Sequence, residues 1–511
     1  MNFSTFTNGI PASRRETVRT LLVALFAGIA GVSGSYAYAG DTPSFIVAPI
    51  AGFLARAMLA PVVSFAITTL GSFGELLNLG TAIFLAVALL AGTSLIALVV
   101  GQRFESAVTA IGLTASLGWL ATASVTEATL PAFSALSTGF ASATVIAVSE
   151  LLRGTSGSVD DTHSSERRRL LGGLASALGI SLFGYFFGSQ QATTSSERLE
   201  TTPRRQQLFE EATAKSLDIP GIDPLISDTE SFYEVDINNI DPAVDTEEWT
   251  LSVTGAVEQE RTYSYTDITS MEADDRFYTL RCVGDSLNGT KMDNAIWTGV
   301  PIMNVVDEAK PNGSYVVLRA ADDYYEEFPV EALRGGMLAY GMNGRGLPRE
   351  HGAPVRALLP GHWGEPNVKW ITEIEFSEEE VTGYWEQRGW HGTGPVKTVA
   401  KFHAINHLPD GRIQVGGHAY AGTRGIQSVK VSVNGDGGPW HEATLSAPLS
   451  GEAVWRQWEY TYEPPATESH EVVVRATDGT GTLQPQERAE PFPNGPSGWV
   501  SRTVNMAANE Q

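Results

Sequence analysis

Phe277-Tyr278-Thr279-Leu280-Arg281-Cys282-Val283-Gly284 holds the only cysteine of the 511-residue chain, and the role of that thiol constrains the rest. A lone thiol excludes a disulfide framework, an iron–sulfur cluster and an all-cysteine metal site. Two uses remain: a small buried core residue, or one thiolate set for nucleophilic attack or for a soft metal. Free cysteine is among the most buried residue types, so in isolation packing is the expected role. The sequence on either side of Cys282 reverses that expectation.

The chain carries a net charge of −24, yet long stretches of its first third are almost uncharged. Apolar runs cover residues 21–38, 77–100, 106–125, 128–149 and 170–188, each near the roughly 20 residues a helix needs to span a bilayer. Residues 41–75 are apolar too, but Pro49, Arg56 and Pro61 break them into two short pieces. Arg14, Arg15 and Arg19 precede the first run, Arg103 follows the second, and Arg153 with Arg167, Arg168 and Arg169 precede the last. All lie on the cytoplasmic side only if 41–75 crosses an even number of times. A re-entrant hairpin buried against its neighbours satisfies this.

The expectation for 1–188 is therefore an all-α transmembrane bundle of about five spans plus a re-entrant segment, in contact with membrane lipid. Everything after Gly188 would be extracytoplasmic. Arg167-Arg168-Arg169-Leu170-Leu171-Gly172 resembles a twin-arginine export signal as closely as a plain positive-inside anchor. No histidine falls within a run, which excludes bis-histidine haem there. With Arg56 as its one midplane charge, the region reads as an anchor rather than a transporter.

Lysine is scarce and arginine supplies most of the basic charge. An acidic, lysine-poor protein suggests a halophile, where salt screens self-repulsion and an acidic surface keeps the chain soluble. The simpler alternative is an ordinary acidic surface. Either way the acidity argues against nucleic-acid binding.

Residues 189–226 read as a linker, polar and without periodicity up to about Lys215. Residues 227–394 mix strand patterns, at 249–255, 314–320 and 369–376, with helical spacing at 300–309, and so predict an α+β domain. From 395 to 511 the pattern becomes all-β. Alternating stretches at 412–419, 426–433, 455–462 and 470–478, with turn signals at Asn434-Gly435 and Asp478-Gly479, predict an immunoglobulin-like sandwich. Trp440, Trp455 and Trp458 would be its core.

With these parts in order, the chain from 232 to 504 resembles the sulfite oxidase family of molybdopterin-dependent oxidoreductases. The family's metal-ligand cysteine lies in a segment similar to Thr279-Leu280-Arg281-Cys282, followed by Trp297-Thr298-Gly299-Val300-Pro301. Its pterin-binding stretch resembles Leu338-Ala339-Tyr340-Gly341-Met342-Asn343-Gly344 and Leu347-Pro348-Arg349-Glu350-His351-Gly352-Ala353-Pro354-Val355-Arg356, continuing through Pro360-Gly361 to Val368-Lys369-Trp370. Its C-terminal dimerisation domain is similar to the stretches at 425–433 and 440–443. The resemblance implies one molybdenum–molybdopterin per chain and a homodimer formed through the last domain. It assigns Cys282 as metal ligand and His351, Arg356, Val368 and Lys369 to cofactor binding, with Phe232, Tyr233 and Asp236 at the cofactor mouth.

The residues suit that chemistry. A dithiolene-held molybdenum takes one further soft donor, which a thiolate provides. Arg356 would grip phosphate through its planar fork and Lys369 as a point charge. Taken singly, Arg356 and Lys369 would pass for surface ion pairs and His351 for a turn residue. The chain also departs from the family. Where sulfite oxidases carry arginines, this chain has Glu234-Val235-Asp236, Gly284-Asp285-Ser286 and Pro493-Asn494-Gly495, and Trp390 stands at the catalytic tyrosine position. Those arginines build a dianion pocket, and Asp236 and Asp285 would repel an anion. Sulfite oxidation and reduction of a neutral S- or N-oxide therefore both stand as expectations.

The resulting expectation is a membrane-anchored, haloarchaeal-type oxidoreductase performing two-electron oxo transfer on a small extracytoplasmic substrate. Trp390, Arg388 and His391 are its candidate substrate residues. With no haem module and no cluster cysteines in the sequence, a separate electron carrier is required. The alternative is a membrane-tethered immunoglobulin-like binding protein whose oxidoreductase-like domain is not catalytic.

Overall fold

Five apolar stretches fold as helices in the computed structural model: Ala12–Ala39, Ser72–Arg103, Ala107–Val125, Phe133–Gly154 and Thr162–Gln191. Each contains a segment long and apolar enough to cross a membrane. The structure describes residues 12–128, 132–154, 162–191 and 197–506. Residues 129–131 of the fourth expected run and 192–196 of the expected linker lie outside the described residues.

Ala12–Ala39 packs against three of the other four long helices. Small residues make the close approaches: a Cβ at Gly28 would meet the Val87 carbonyl oxygen at 2.6 Å, and one at Gly139 that of Ala115 at 2.4 Å. Glycine at such crossings lets helix backbones touch. Hydroxyls find partners across helices, as Ser142 Oγ donates to the Ala27 carbonyl at 2.9 Å. Contacts group these helices with Asp236–Ala243 as one unit, and group Leu59–Leu70, Ser195–Val235 and Val244–Gln511 as another. In the first unit Asn78 Nδ2 donates to Asn239 Oδ1 at 2.5 Å, and Asn239 Nδ2 to the Glu75 carbonyl at 3.2 Å.

The stretch 41–75, expected to enter the membrane as a hairpin, divides. Val47–Ala57 is a helix of the first unit, whereas Ala60–Phe65 and the π-turn Ala66–Leu70 group with the second.

The second unit contains two sheets before residue 395. One runs in the order Arg261–Ser264, Thr250–Gly255, Ile371–Ser377, Tyr315–Ala320, Tyr325–Pro329, with a parallel pairing only between Thr250–Gly255 and Ile371–Ser377. The other runs Asp274–Arg281, Met292–Pro301, Met337–Met342, Arg345–Gly346, with Arg356–Leu358 also on Met337–Met342. Met292–Pro301 is buried over nearly its whole length, as expected of a central strand covered on both faces. The helical spacing expected over 300–309 holds only from Met303; Val300 and Pro301 end a strand.

Two antiparallel sheets follow. Ile413–Tyr420 pairs with Arg456–Tyr462 in one, and Ile426–Ser432 with Ser469–Asp478 in the other. Val415, Val429, Val431, Trp458, Val472 and Val474 fill the core between them. The expected strands thus form within one or two residues of their predicted limits. Trp455 and Trp458 are buried as expected, but Trp440 is not core. It is only partly covered, and the Arg475 guanidinium lies 3.8 Å from its ring centroid.

The stretch expected to be an aperiodic linker contains a helix, Pro203–Lys215. Thr202 caps it by accepting from Arg205 N at 3.1 Å, and Pro203 starts its first turn with a φ suited to a helix. Its apolar face is short, with Leu208 and Ala212 buried and Phe209 half-buried against the same core, and its polar surroundings hid it in the composition. Buried Arg205 ties the helix to Asp275 at 2.9 Å.

Candidate active site

Cys282 is the first residue beyond the strand Asp274–Arg281. Its amide donates to the Lys291 carbonyl at 3.1 Å, closing a loop over 283–290. The residue is half-buried, and burial pushes its pKa up; Lys291 and the Gly284 N–H pull the other way. A metal binding here would therefore release a proton.

Two glycines leave room beside Cys282, Gly284 near the thiol and Gly364 near the backbone. A Cβ at Gly284 would lie 3.8 Å from Cys282 Sγ, 3.6 Å from Trp390 Cη2 and 3.4 Å from Ile67 Cγ2. A Cβ at Gly364 would lie 3.7 Å from the Tyr233 hydroxyl and 3.8 Å from Cys282 Cα. Burial first, and then the proximity of Cys282, raises the Tyr233 pKa well above the phenol value, while Arg356 opposes the rise. Tyr233 stacks on Phe232, with ring centroids 5.6 Å apart, and Phe232 meets the edge of His351 at 5.5 Å.

A group of nitrogen donors forms around Gly352, whose φ of +109° and close neighbours admit no side chain without strain. A Cβ there would sit 2.9 Å from Lys369 Cβ and 3.1 Å from Arg356 Cβ. Arg356 Nη1 donates to the His351 carbonyl and Nη2 to the Asn367 carbonyl; Lys369 Nζ donates to the Glu350 carbonyl. His351 Nε2 pairs with the Thr229 carbonyl at 3.1 Å. Burial, with Arg356 and Lys369 nearby, pushes its pKa down to about 4, so the ring is neutral at pH 7. Val368 is buried, and its carbonyl accepts from Ala357 N at 2.8 Å.

The residues beside the thiol fit a molybdenum–pterin group. There is one soft donor on a half-buried residue, space that a Cβ at Gly364 or Gly284 would fill, and a set of nitrogen donors reached through Phe232 and Tyr233. The expected Phe232, Tyr233, Cys282, His351, Arg356 and Lys369 thus come together. Asp236 falls at the start of the 236–243 stretch of the other unit.

The substrate candidates separate. Trp390 is buried, its ring meets Phe492 at 5.1 Å, and its Nε1 has no hydrogen-bond partner among the described residues. Arg388 lies 3.6 Å over the Tyr384 ring centroid, with Nη1 donating to the Tyr384 carbonyl at 2.7 Å. His391 is exposed, and its amide donates to the Pro493 carbonyl. Asp285, expected to repel an anion, is ion-paired with buried Lys401 at 3.0 Å, so its charge is compensated.

Several groups escaped sequence reasoning. Glu326, Glu365 and Glu386 place carboxylate oxygens within 4.8 Å of one another, and Tyr324 donates to Glu326 Oε2 at 3.0 Å. Burial, and secondly Glu386, raises the Glu365 pKa to about 8. The three glutamates come from separate loops and strands, so no local motif announces them. Arg281, fully buried with its carbon 4.7 Å over the Trp363 ring, donates Nη1 to the Lys397 carbonyl; burial lowers its pKa to about 10.

Two stretches of the chain match known domains. Residues 238–385 match the oxidoreductase molybdopterin binding domain, and 396–491 the Mo-co oxidoreductase dimerisation domain. Chicken sulfite oxidase is 32% identical over 177 residues, covering 30% of this chain and 38% of its own length. The Arabidopsis thaliana sulfite oxidase is 26% identical over 312 residues, covering 48% and 79%. The uncharacterized oxidoreductase YuiH of Bacillus subtilis is 28% identical over 170 residues, covering 32% and 84%. The chain thus spans well under half of the chicken enzyme it matches. The crystal structure of the sulfane dehydrogenase SoxCD from Paracoccus pantotrophus aligns over 55% of this chain and 81% of its own, at 19% identity and TM-score 0.46. Over 238–491, in two matched domains in this order, the chain is similar to the sulfite oxidase-like molybdopterin oxidoreductases.

Proposed function

We propose that the chain is a membrane-anchored molybdenum oxidoreductase that transfers an oxygen atom to or from a small substrate. The observation that carries this is the convergence of the Cys282 thiol, the open space at Gly284 and Gly364, and the donors around Gly352. When bound, the cofactor supplies two-electron redox chemistry at an oxo-bearing metal. Cys282 would hold the metal, Arg356 and Lys369 the anionic end of the pterin, and neutral His351 would serve as a hydrogen-bonding rather than a charged partner.

Oxo transfer in either direction moves two electrons and two protons. Reduction of an S- or N-oxide consumes both protons and releases water; oxidation of sulfite releases them. Glu365 directly follows Gly364 in the chain, and its raised pKa lets it hold a proton near neutral pH. Aromatic Trp390 and aliphatic Ile67 beside the thiol favour a neutral S- or N-oxide over a dianion. Trp390, Arg388 and His391 remain the candidate substrate residues. Electrons would pass to or from a separate carrier. The five apolar helices support anchoring in a membrane with the second unit extracytoplasmic. The C-terminal domain, immunoglobulin-like in this reading, supports a homodimer, and the acidic composition a high-salt habitat.

Assay of one preparation in both directions tests the reading. Reduction of a neutral sulfoxide or N-oxide with a low-potential dye is expected to exceed sulfite oxidation with an artificial acceptor. Activity in neither direction from metal-loaded protein would favour a binding role instead.

A further inference from the structure

Residues 59–70 follow a helix and precede a long apolar one in the sequence, yet they group with the unit that contains Cys282. Both ends leave helical geometry. Met58 and Leu59 are extended, and Gly71 has φ +53° with ψ −131°, a conformation that favours glycine. Between them Ala60–Phe65 forms a short helix begun by Pro61, and Ala66–Leu70 a π-turn. Such π-turns recur at functional sites. The segment is thus a small module with a non-helical joint at each end.

Its inner side meets residues that surround the thiol. The short helix packs against the Glu386–Arg388 turn. Ile67 joins the apolar cluster that contains Val283, Leu287, Trp363 and Trp390. One point, where a Cβ of Gly284 would stand, is within 4 Å of Ile67 Cγ2, Trp390 Cη2 and Cys282 Sγ alike. Leu59, Val62 and Phe65 are exposed on the same segment, so the segment has an inner side that meets the site and an outer apolar side.

We propose that residues 59–70 form an outer wall over the space beside Cys282, and that Ile67 determines how large a molecule reaches the sulfur. The sequence resemblance covers only residues 232 onward, so this wall is an addition brought by the N-terminal third. Access to the thiol follows from the geometry alone; selection of substrate by size rests on the oxo-transfer reading.

The lone cysteine makes a clean probe. Full-length protein from a host unable to make molybdopterin is treated with N-ethylmaleimide, and the alkylation rate of Cys282 is compared for wild type, Ile67→Ala and Ile67→Trp. Leu483→Ala, an exposed site in the C-terminal domain, serves as the control. Removing the wall residue should raise the rate roughly tenfold, as for a site gated by local opening, and the larger ring should lower it. A substitution that merely loosened the fold would raise the rate for both variants. Any pattern other than a rise for Ile67→Ala with a fall for Ile67→Trp overturns the proposal. Because the probe reads the bare thiol, this result is independent of whether wild-type protein from a cofactor-competent host carries molybdenum.

Discussion

Lys401 Nζ lies 3.0 Å from Asp285 Oδ2, with the lysine fully buried and the aspartate nearly so. The same ammonium donates to the Gly289 carbonyl at 2.9 Å, and Asp285 accepts from Lys291 N at 3.0 Å. A residue from the start of the C-terminal domain therefore fixes the loop that follows Cys282. Removing one member of a buried ion pair strands the other charge and costs roughly 3–5 kcal/mol. Lys401→Met is expected to lose stability on that scale in denaturant unfolding, and Lys401→Met with Asp285→Asn to recover part of it. Equal stability of the single variant and wild type would show that the pair does not hold the loop.

The carboxylate cluster predicts a pH dependence. Glu365 keeps its proton in the fold up to about pH 8, against an ordinary value of 4.5. Between those values the folded state binds more protons, so stability falls as pH rises through the window. His351 acts oppositely: its pKa of about 4 lies below the ordinary 6.5, so its contribution grows as pH rises from 4 to 6.5 and is constant above. The interval from 6.5 to 8 therefore separates them. A tenfold change in proton affinity corresponds to about 1.4 kcal/mol, and Glu365→Gln should flatten the decline in melting temperature there relative to wild type. Parallel curves for the two proteins would contradict the assignment.

Gly352 offers a test of the cofactor cradle. Gly352→Ala forces a positive-φ conformation and places a methyl 2.9 Å from Lys369 Cβ, with strain of about 1–3 kcal/mol. Gly394→Ala adds a methyl where nothing lies within 4 Å. Pterin content, read by fluorescence of the oxidised extract, should fall severalfold in the first variant and stay at the wild-type level in the second. Full pterin loading of Gly352→Ala would show that Arg356 and Lys369 are not held for the cofactor.

Local signals explain what the sequence made legible. Continuous apolar runs have one fold available in a bilayer, so the five long helices are predictable from composition. Alternation marked the strands of the C-terminal sheets, and the ordered stretches from Cys282 to Lys369 carried the family resemblance. What stayed hidden depends on distant partners. Asp285 reads as a repelling charge until Lys401, 116 residues later, is seen beside it. Trp440 reads as core by residue type, yet stacks with Arg475. The helix Pro203–Lys215 shows only one turn of apolar stripe, Leu208, Phe209 and Ala212. Residues 59–70 are as apolar as their neighbours, and nothing local in the sequence shows that they group with the unit that contains Cys282.

The thiol remains the decisive residue. Wild-type protein and Cys282→Ser, both made in a molybdenum-replete host that assembles the cofactor, can be compared by elemental analysis. About one molybdenum per wild-type chain is expected, as for a single thiolate site, with the serine variant still folded and its metal strongly depleted. Wild type without molybdenum, or equal metal in the two proteins, would contradict Cys282 as the ligand.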